Sequence, residues 1–189
     1  MIVLGVDPGS NHTGYGIVEV EGGRERLVAC GTIHLKAADA HGERLVQIHD
    51  ALTALVAEHR PDEGAVEMPV FGHDPQSLLK LGRAQAAAML ALLQKGVPVT
   101  QYTPAEVKKA VTGNGNAVKD RVAAMVAAIL GPLPTPSPDA ADALAVALCH
   151  LNYRRHGGQR PAAKPRAKSK GAAWDAFLRD HPDRIKGGG

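Results

Sequence analysis

The sequence contains few aromatic residues, only two cysteines and no long hydrophobic run. Phenylalanine, tryptophan and tyrosine make up 3% of the 189 residues, so the core must consist mainly of leucine, valine, isoleucine and alanine. Cys30 and Cys149 are far apart in apolar surroundings, which disfavours a disulfide or a metal knot, and we expect both to be small buried hydrophobic residues. No apolar run is long enough to span a membrane, and the first residues predict a strand rather than a cleavable leader. We therefore expect a cytoplasmic protein with no membrane contact.

The net charge of +3 conceals an uneven distribution. Residues 1–153 hold 12 lysines and arginines against 16 acidic residues, a balance of −4, whereas residues 154–189 hold 10 against 3, a balance of +7. Residues 157–171 are rich in proline, glycine and lysine, a composition typical of disorder. The sequence thus predicts a folded domain over residues 1–153 and a basic, mostly disordered tail over residues 154–189.

Hydrophobic patterning predicts an α/β fold. Short apolar runs bounded by turn residues indicate strands at 2–6, 13–20, 27–35, 64–67 and 97–102. Helical spacing indicates helices at 42–60, 75–95, 119–130 and 139–150, and one more that begins at a capping box formed by Thr103 and Glu106. The first three strands follow each other through tight turns and must be antiparallel. The order of strands and helices along the chain favours a mixed five-stranded sheet with helices on both faces.

The predicted helix at 75–95 has almost no polar face. Its leucines and alanines must pack against other apolar residues on more than one side of the helix. The rest of a domain of this size can cover one of those sides. A homodimer would supply the other side. The alternative is an interior helix of a monomer.

Four acidic residues are expected at one edge of the predicted sheet. Asp7 follows the first strand, Glu67 ends the fourth, and Asp139 and Asp142 share the first turn of the last helix. Each has a plain alternative: a turn residue before Pro8, a surface side chain, or charges that complement a helix dipole. Together, four carboxylates would repel each other unless cations neutralised them. Oxygen ligands of this kind suit Mg²⁺ or Mn²⁺, and two such ions about 3.5–4 Å apart catalyse phosphodiester hydrolysis.

Glycine, asparagine and lysine cluster between Lys108 and Lys119. A loop of this composition at 112–116 suits a backbone that approaches phosphates. The alternative is a solvated surface loop.

Several segments in register between Met1 and about Tyr153 carry a family resemblance. They are Asp7-Pro-Gly-Ser-x-x-Thr-Gly-Tyr-Gly, Ala65-Val-Glu67, Ser77-Leu-Leu-Lys80-Leu-Gly82, Val107-Lys108 with Lys119, and Asp139-Ala-Ala-Asp142-Ala-Leu-Ala. Together they resemble the RuvC Holliday-junction resolvases. The resemblance implies a ribonuclease-H-like fold and a homodimer that makes paired, symmetric nicks in opposed strands of a four-way DNA junction. It also implies roles in recombination and repair alongside the RuvA and RuvB branch-migration complex.

The resemblance also assigns roles to individual residues. The four acids look like the family's catalytic metal ligands, for two Mg²⁺ or Mn²⁺ ions in each subunit. Lys108 and Lys119 resemble its phosphate-contacting lysines, and Lys119 would stabilise charge in the transition state. The family stacks an aromatic residue on an unpaired base; its usual position here is Val70, and the neighbouring Phe71 supplies the aromatic ring.

Three other functions fit parts of the pattern. A sugar-kinase or actin-like ATPase also has Asp-x-Gly after its first strand, but it needs a second similar domain. A ribonuclease H acting on RNA–DNA hybrids would share the fold and the acids, but it needs neither an obligate dimer nor Phe71. A non-catalytic junction-binding protein would not need four acids, because acids near phosphates weaken DNA binding unless metal occupies them.

Overall fold

The computed structural model describes residues 1–36, 38–69, 74–133 and 137–157. Five strands and five helices follow one another in the order that the sequence predicts. The strands are β1 (Ile2–Asp7), β2 (His12–Glu21), β3 (Arg24–His34), β4 (Glu63–Glu67) and β5 (Val99–Tyr102). The helices are α1 (His41–His59), α2 (Pro75–Leu93), α3 (Pro104–Thr112), α4 (Lys119–Leu130) and α5 (Pro138–Arg155). Within these described residues, no helix is both long and apolar enough to cross a membrane.

The strands form one mixed sheet in the order β3-β2-β1-β4-β5. β2 pairs antiparallel with β1 and with β3, whereas β4 pairs parallel with β1 and with β5. This arrangement confirms the predicted five-stranded sheet with three antiparallel strands. Because β1 and β4 are parallel neighbours, their carboxyl ends lie at the same edge.

Successive side chains along the strands point to opposite faces of the sheet, and this divides the hydrophobic core into two layers. Leu4 and Val66 face α1 and α2, while Val3 and Ala65 face α3, α4 and α5. Helices therefore cover both faces, as predicted. Cys149 is buried as expected, but Cys30 is only half-buried because it lies on the edge strand β3, and the two cysteines do not form a disulfide.

Helix α5 is more deeply buried than the sequence suggests. Its alanine-rich pattern predicts a single buried stripe, yet every residue from Ala143 to Leu151 is buried. The reason is that the sheet covers one side of α5 while α3 and α4 cover the others. Contact with the sheet is close: a Cβ atom at Gly5 would lie 2.2 Å from the carbonyl oxygen of Ala143, so only glycine fits there.

Candidate active site

The central parallel pair of strands brings two acids together. Asp7 ends β1 and Glu67 ends β4, and the register pairs Val6 with Val66, so the two acids are neighbours at the edge of the sheet. Their carboxyl groups share a hydrogen bond. Two carboxyl groups can hydrogen-bond to each other only when one of them is protonated.

Burial is the main reason why these acids hold a proton strongly. Burial raises the pKa of Glu67, and the negative charges of Asp7 and Asp142 help to raise it to about 8. Burial also raises the pKa of Asp7, although its hydrogen bond with Glu67 opposes the change. Crowded, desolvated carboxylates keep their charge only next to cations. The electrostatics therefore favour bound positive charge at this edge.

Helix α5 adds the other two acids by lying directly on β2. A Cβ atom at Gly14 would be 2.0 Å from the backbone oxygen of Asp139. Since Gly14 is paired with Asp7, this contact places the first turn of α5 above the end of β1. Asp139 and Asp142 lie near enough for their negative charges to raise the pKa of Asp7. The structure thus brings the four predicted acids to one edge of the sheet.

A hydroxyl pair fixes the start of α5. Ser137 is the N-cap residue, and its Oγ accepts a hydrogen bond of 3.5 Å from the backbone N–H of Ala140. The same Oγ lies 2.6 Å from Oγ1 of Thr32 on β3. This contact ties the first turn of α5, and hence its two acids, to the sheet.

Lys119 supplies the positive charge that the structure places among the acids. Its Nζ donates a 2.8 Å hydrogen bond to Oδ2 of Asp142. That hydrogen bond and the charge of Asp142 raise the pKa of Lys119, with smaller contributions from Asp7 and Glu67. The lysine side chain is 76% exposed while that of Asp142 is 23% exposed, so the ammonium group reaches the acids from the solvent side.

Arg44 supports the loop that follows Asp7, and the sequence analysis did not find it. One of its Nη atoms donates to the carbonyl of Ser10 at 2.9 Å and to Oδ1 of Asn11 at 2.8 Å. The buried Thr13 hydroxyl also donates to the carbonyl of Gly9 at 3.2 Å. These bonds hold the turn beside the acids, and no local pattern reveals a contact between residues more than thirty positions apart.

The donor set fits hard divalent cations. Four carboxyl groups offer only oxygen ligands, which Mg²⁺ and Mn²⁺ prefer. As the side chains stand, no three histidine, cysteine, aspartate or glutamate residues in the described ranges are arranged to hold a metal ion. The contacts explain this finding, because Asp142 is turned to Lys119 and Asp7 is hydrogen-bonded to Glu67. Lys119 here provides part of the neutralisation that a divalent cation would provide.

None of the remaining predicted site residues is seen in contact with the acids within the described ranges. Lys108 is half-buried on α3, and no ion pair joins it to the acids in the part of the chain that the structure describes. Phe71 and residues 158–189 of the basic tail fall outside the described residues.

Comparison with known proteins identifies the family. Residues 3–150 match the family model described as crossover junction endodeoxyribonuclease RuvC. The chain belongs to the RuvC family. RuvC of Salinibacter ruber is 54% identical over 186 residues, covering 98% of this chain and 99% of the relative. RuvC of Cytophaga hutchinsonii is 44% identical over 98% of this chain and 88% of the relative.

Solved RuvC structures agree with this assignment. Thermus thermophilus RuvC matches with a TM-score of 0.75 at 39% identity, covering 83% of this chain and 97% of that chain. T. thermophilus RuvC in complex with a Holliday junction substrate matches with a TM-score of 0.76. The RuvC comparisons confirm the predicted ribonuclease-H-like fold and the predicted class of enzyme, an endodeoxyribonuclease.

Proposed function

We propose that this RuvC-family protein resolves Holliday junctions by paired, symmetric hydrolysis of phosphodiester bonds in two opposed strands, during recombination and DNA repair. The observation that carries the proposal is the partly buried carboxyl pair of Asp7 and Glu67, with Asp139 and Asp142 above it and Lys119 beside it. The relative from T. thermophilus, solved with a Holliday junction substrate, supports the choice of substrate.

We assign the four acids as ligands for Mg²⁺ or Mn²⁺, with two ions in each subunit. When bound, such a pair would lower the pKa of an attacking water and stabilise the departing oxygen. The acids would hold and orient the ions, and their placement on β1, β4 and α5 would keep the separations between them fixed. Glu67 would lose its proton as positive charge enters, because a neighbouring cation favours its charged form against the burial and the repulsion that raise its pKa.

Lys119 is proposed to act on the scissile phosphate. Its exposed side chain can leave Asp142 when a cation takes over the neutralisation of that acid, and the freed ammonium group can donate to a phosphate oxygen on which negative charge develops. Lys108 and Phe71 are proposed DNA contacts, the first to a phosphate and the second by stacking on an unpaired base.

We propose a homodimer through α2. One side of this helix is buried, including Ala84, Ala88 and Leu92. Another side leaves Leu79, Leu90 and Leu93 about half exposed. Exposed leucines in a row mark an interaction surface. A two-fold dimer would also set two active sites against the two-fold symmetry of a junction.

The remaining proposals follow from family membership and charge. We propose that the protein works in the cytoplasm with the RuvA and RuvB complex, as the resemblance implies. Residues 1–153 are proposed as the nuclease domain, and the tail, with its balance of +7, adds affinity for DNA phosphates that falls with salt. Arg154 and Arg155 form ion pairs with Glu63 and Glu25, so a truncation that tests the tail should follow Gly157.

The proposal predicts which DNA is cut. Full-length protein is incubated with Mg²⁺ or Mn²⁺ and with a labelled mobile four-way junction, a linear duplex or an RNA–DNA hybrid. We expect paired symmetric nicks in the junction alone, carrying 5′-phosphate and 3′-hydroxyl ends. Asp7→Asn should abolish the nicks and retain junction binding.

The matched control for charge is Asp50→Asn on the exposed surface of α1, which should cleave normally. If the hybrid is cut while the junction stays intact, the substrate is that of a ribonuclease H. Junction binding without cleavage under either metal would favour the non-catalytic role.

A further inference from the structure

Two histidines face each other at the edge of the sheet that carries the acids. His12 begins β2 and His34 ends β3, and the strand register pairs them directly. Both side chains are exposed, and their Nδ1 atoms lie 3.2 Å apart. The ring planes are nearly perpendicular, at 83°. Neither residue takes part in the proposed nuclease chemistry.

Strand alternation places this pair on the same face as α5. The hydroxyl of Thr32 contacts Ser137 at the start of α5, so Thr32 faces that helix. His34 lies two residues further along β3 and therefore points to the same side, about 7 Å beyond Thr32. His12, its partner on β2, does the same. The pair thus projects past the beginning of α5, beside the acid cluster.

The separation of the two nitrogens suits a shared metal ion. Zinc binds histidine nitrogens at about 2.0–2.1 Å in tetrahedral geometry. Two ligand nitrogens at those distances and at the tetrahedral angle would be about 3.3 Å apart. The 3.2 Å between the Nδ1 atoms of His12 and His34 is close to that value. Sheet pairing holds the two backbones in place, so binding requires only that the mutual hydrogen bond breaks, with its proton moved to Nε2, and that the rings turn both Nδ1 lone pairs towards the ion.

We propose that His12 and His34 form a second metal site, for a transition-metal ion of the zinc type. Imidazole nitrogens suit such ions, whereas the oxygen-only acid cluster suits Mg²⁺ or Mn²⁺. No third histidine, cysteine, aspartate or glutamate joins this pair in a metal-binding arrangement among the described residues, so water or an anionic oxygen would complete the coordination. The ion is therefore exchangeable, and it presents open positions on the face where the acids lie.

Calorimetric titration of Zn²⁺ into the full-length, tag-free protein tests the site, with excess Mg²⁺ present to fill the acid cluster. We expect one binding event in the wild type that weakens at least tenfold in both His12→Gln and His34→Gln. His156→Gln is the matched control, because His156 is an exposed histidine at the far end of α5; it should leave this event unchanged. The measurement uses no DNA, so its result is independent of the proposed nuclease function.

A rescue variant separates ligation from folding. His34→Cys replaces one zinc ligand by another, and it should restore binding that His34→Gln loses, because a thiolate also coordinates zinc. The site is refuted if wild-type protein shows no such event, if either glutamine variant binds like the wild type, or if the cysteine variant fails to bind. In those cases the histidines form only the mutual hydrogen bond.

Discussion

The contact between Lys119 and Asp142 joins an exposed cation to a carboxylate at the centre of the site. Because the lysine side chain is largely in solvent, its removal leaves no cavity and little loss of packing. Its raised pKa keeps it charged throughout the physiological range. A residue of this kind affects chemistry far more than stability.

Replacement of Lys119 by alanine should therefore lower kcat for junction cleavage while the fold is retained. Loss of one donor that stabilises transition-state charge costs about 10²–10³-fold. Single-turnover cleavage with saturating enzyme measures the rate, and thermal unfolding measures stability. Lys109→Ala, an exposed lysine on α3, is the control. A rate within threefold of wild type would remove Lys119 from the mechanism.

The proton held by Glu67 gives the metal-free protein a pH-dependent stability. Its folded pKa of about 8 lies above the ordinary value of 4.5, so the folded state binds more protons than the unfolded state between those values. Stability must then fall as pH rises from about 4.5 to 8. Glu67→Gln should reduce this loss of stability with rising pH, and it should raise Tm at pH 8 in the absence of metal.

Thermal unfolding at pH 5 and pH 8, with chelator or with Mg²⁺, measures the effect. Mg²⁺ should raise the Tm of the wild type at pH 8 more than that of Glu67→Gln, since the variant lacks one ligand. Glu21→Gln at the exposed end of β2 is the control for loss of an exposed acid. An identical pH dependence in Glu67→Gln and the wild type would contradict the assigned cause.

The sequence predicted that the four acids would meet because each lies next to a detectable feature, whereas Lys119 was predicted from the family resemblance. Asp7 and Glu67 end apolar strand runs, and Asp139 follows a Ser-Pro helix start. The bond of Arg44 to the loop after Asp7, and that of Thr32 to Ser137, could not be predicted. Both join side chains distant in sequence, and only the packing of complete elements brings them together.

At the scale of elements, the position of α5 depends on glycines in the strands beneath it. Gly14 lies under Asp139 with no room for a methyl group, and Gly5 and Gly16 allow the same close approach further along. The sequence showed these glycines and the alanines of α5. It did not show that α3 and α4 would cover the rest of the helix, because periodicity describes one element at a time.

Gly14→Ala should displace the first turn of α5 and with it two acids. Overpacking of this kind costs about 1–3 kcal/mol, and junction cleavage should fall by more than the loss of folded protein explains. Gly42→Ala is the control, since a Cβ atom there meets nothing within 4 Å. Unfolding in urea and cleavage of the folded fraction measure the two effects. Normal activity in Gly14→Ala would show that the acids tolerate a shift of α5.

At the scale of the whole molecule, α2 is the element with the clearest surface for a second copy. The all-apolar pattern at 75–95 predicted a helix covered on two sides, and the structure covers only one. Leu90→Glu should convert a dimer to a monomer, because a charge at the centre of an apolar contact remains unpaired.

Sedimentation velocity measures the oligomeric state of this variant. Ala128→Glu, on the exposed side of α4 beyond the opposite face of the sheet, is the control and should leave the dimer intact. If both variants sediment like the wild type, the dimer uses another surface or does not form.

The packing of α5 against β1 and β2 also has a consequence for folding during synthesis on the ribosome. β1, β2 and β3 are the first elements to emerge, yet the face of Gly5, Gly14 and Gly16 stays bare until residues 138–155 have been made. Most of the nascent chain therefore exposes this apolar surface to solvent until its last helix has been synthesised. A nuclease assembled in this order cannot acquire its full set of acids before nearly all of the described chain has been translated.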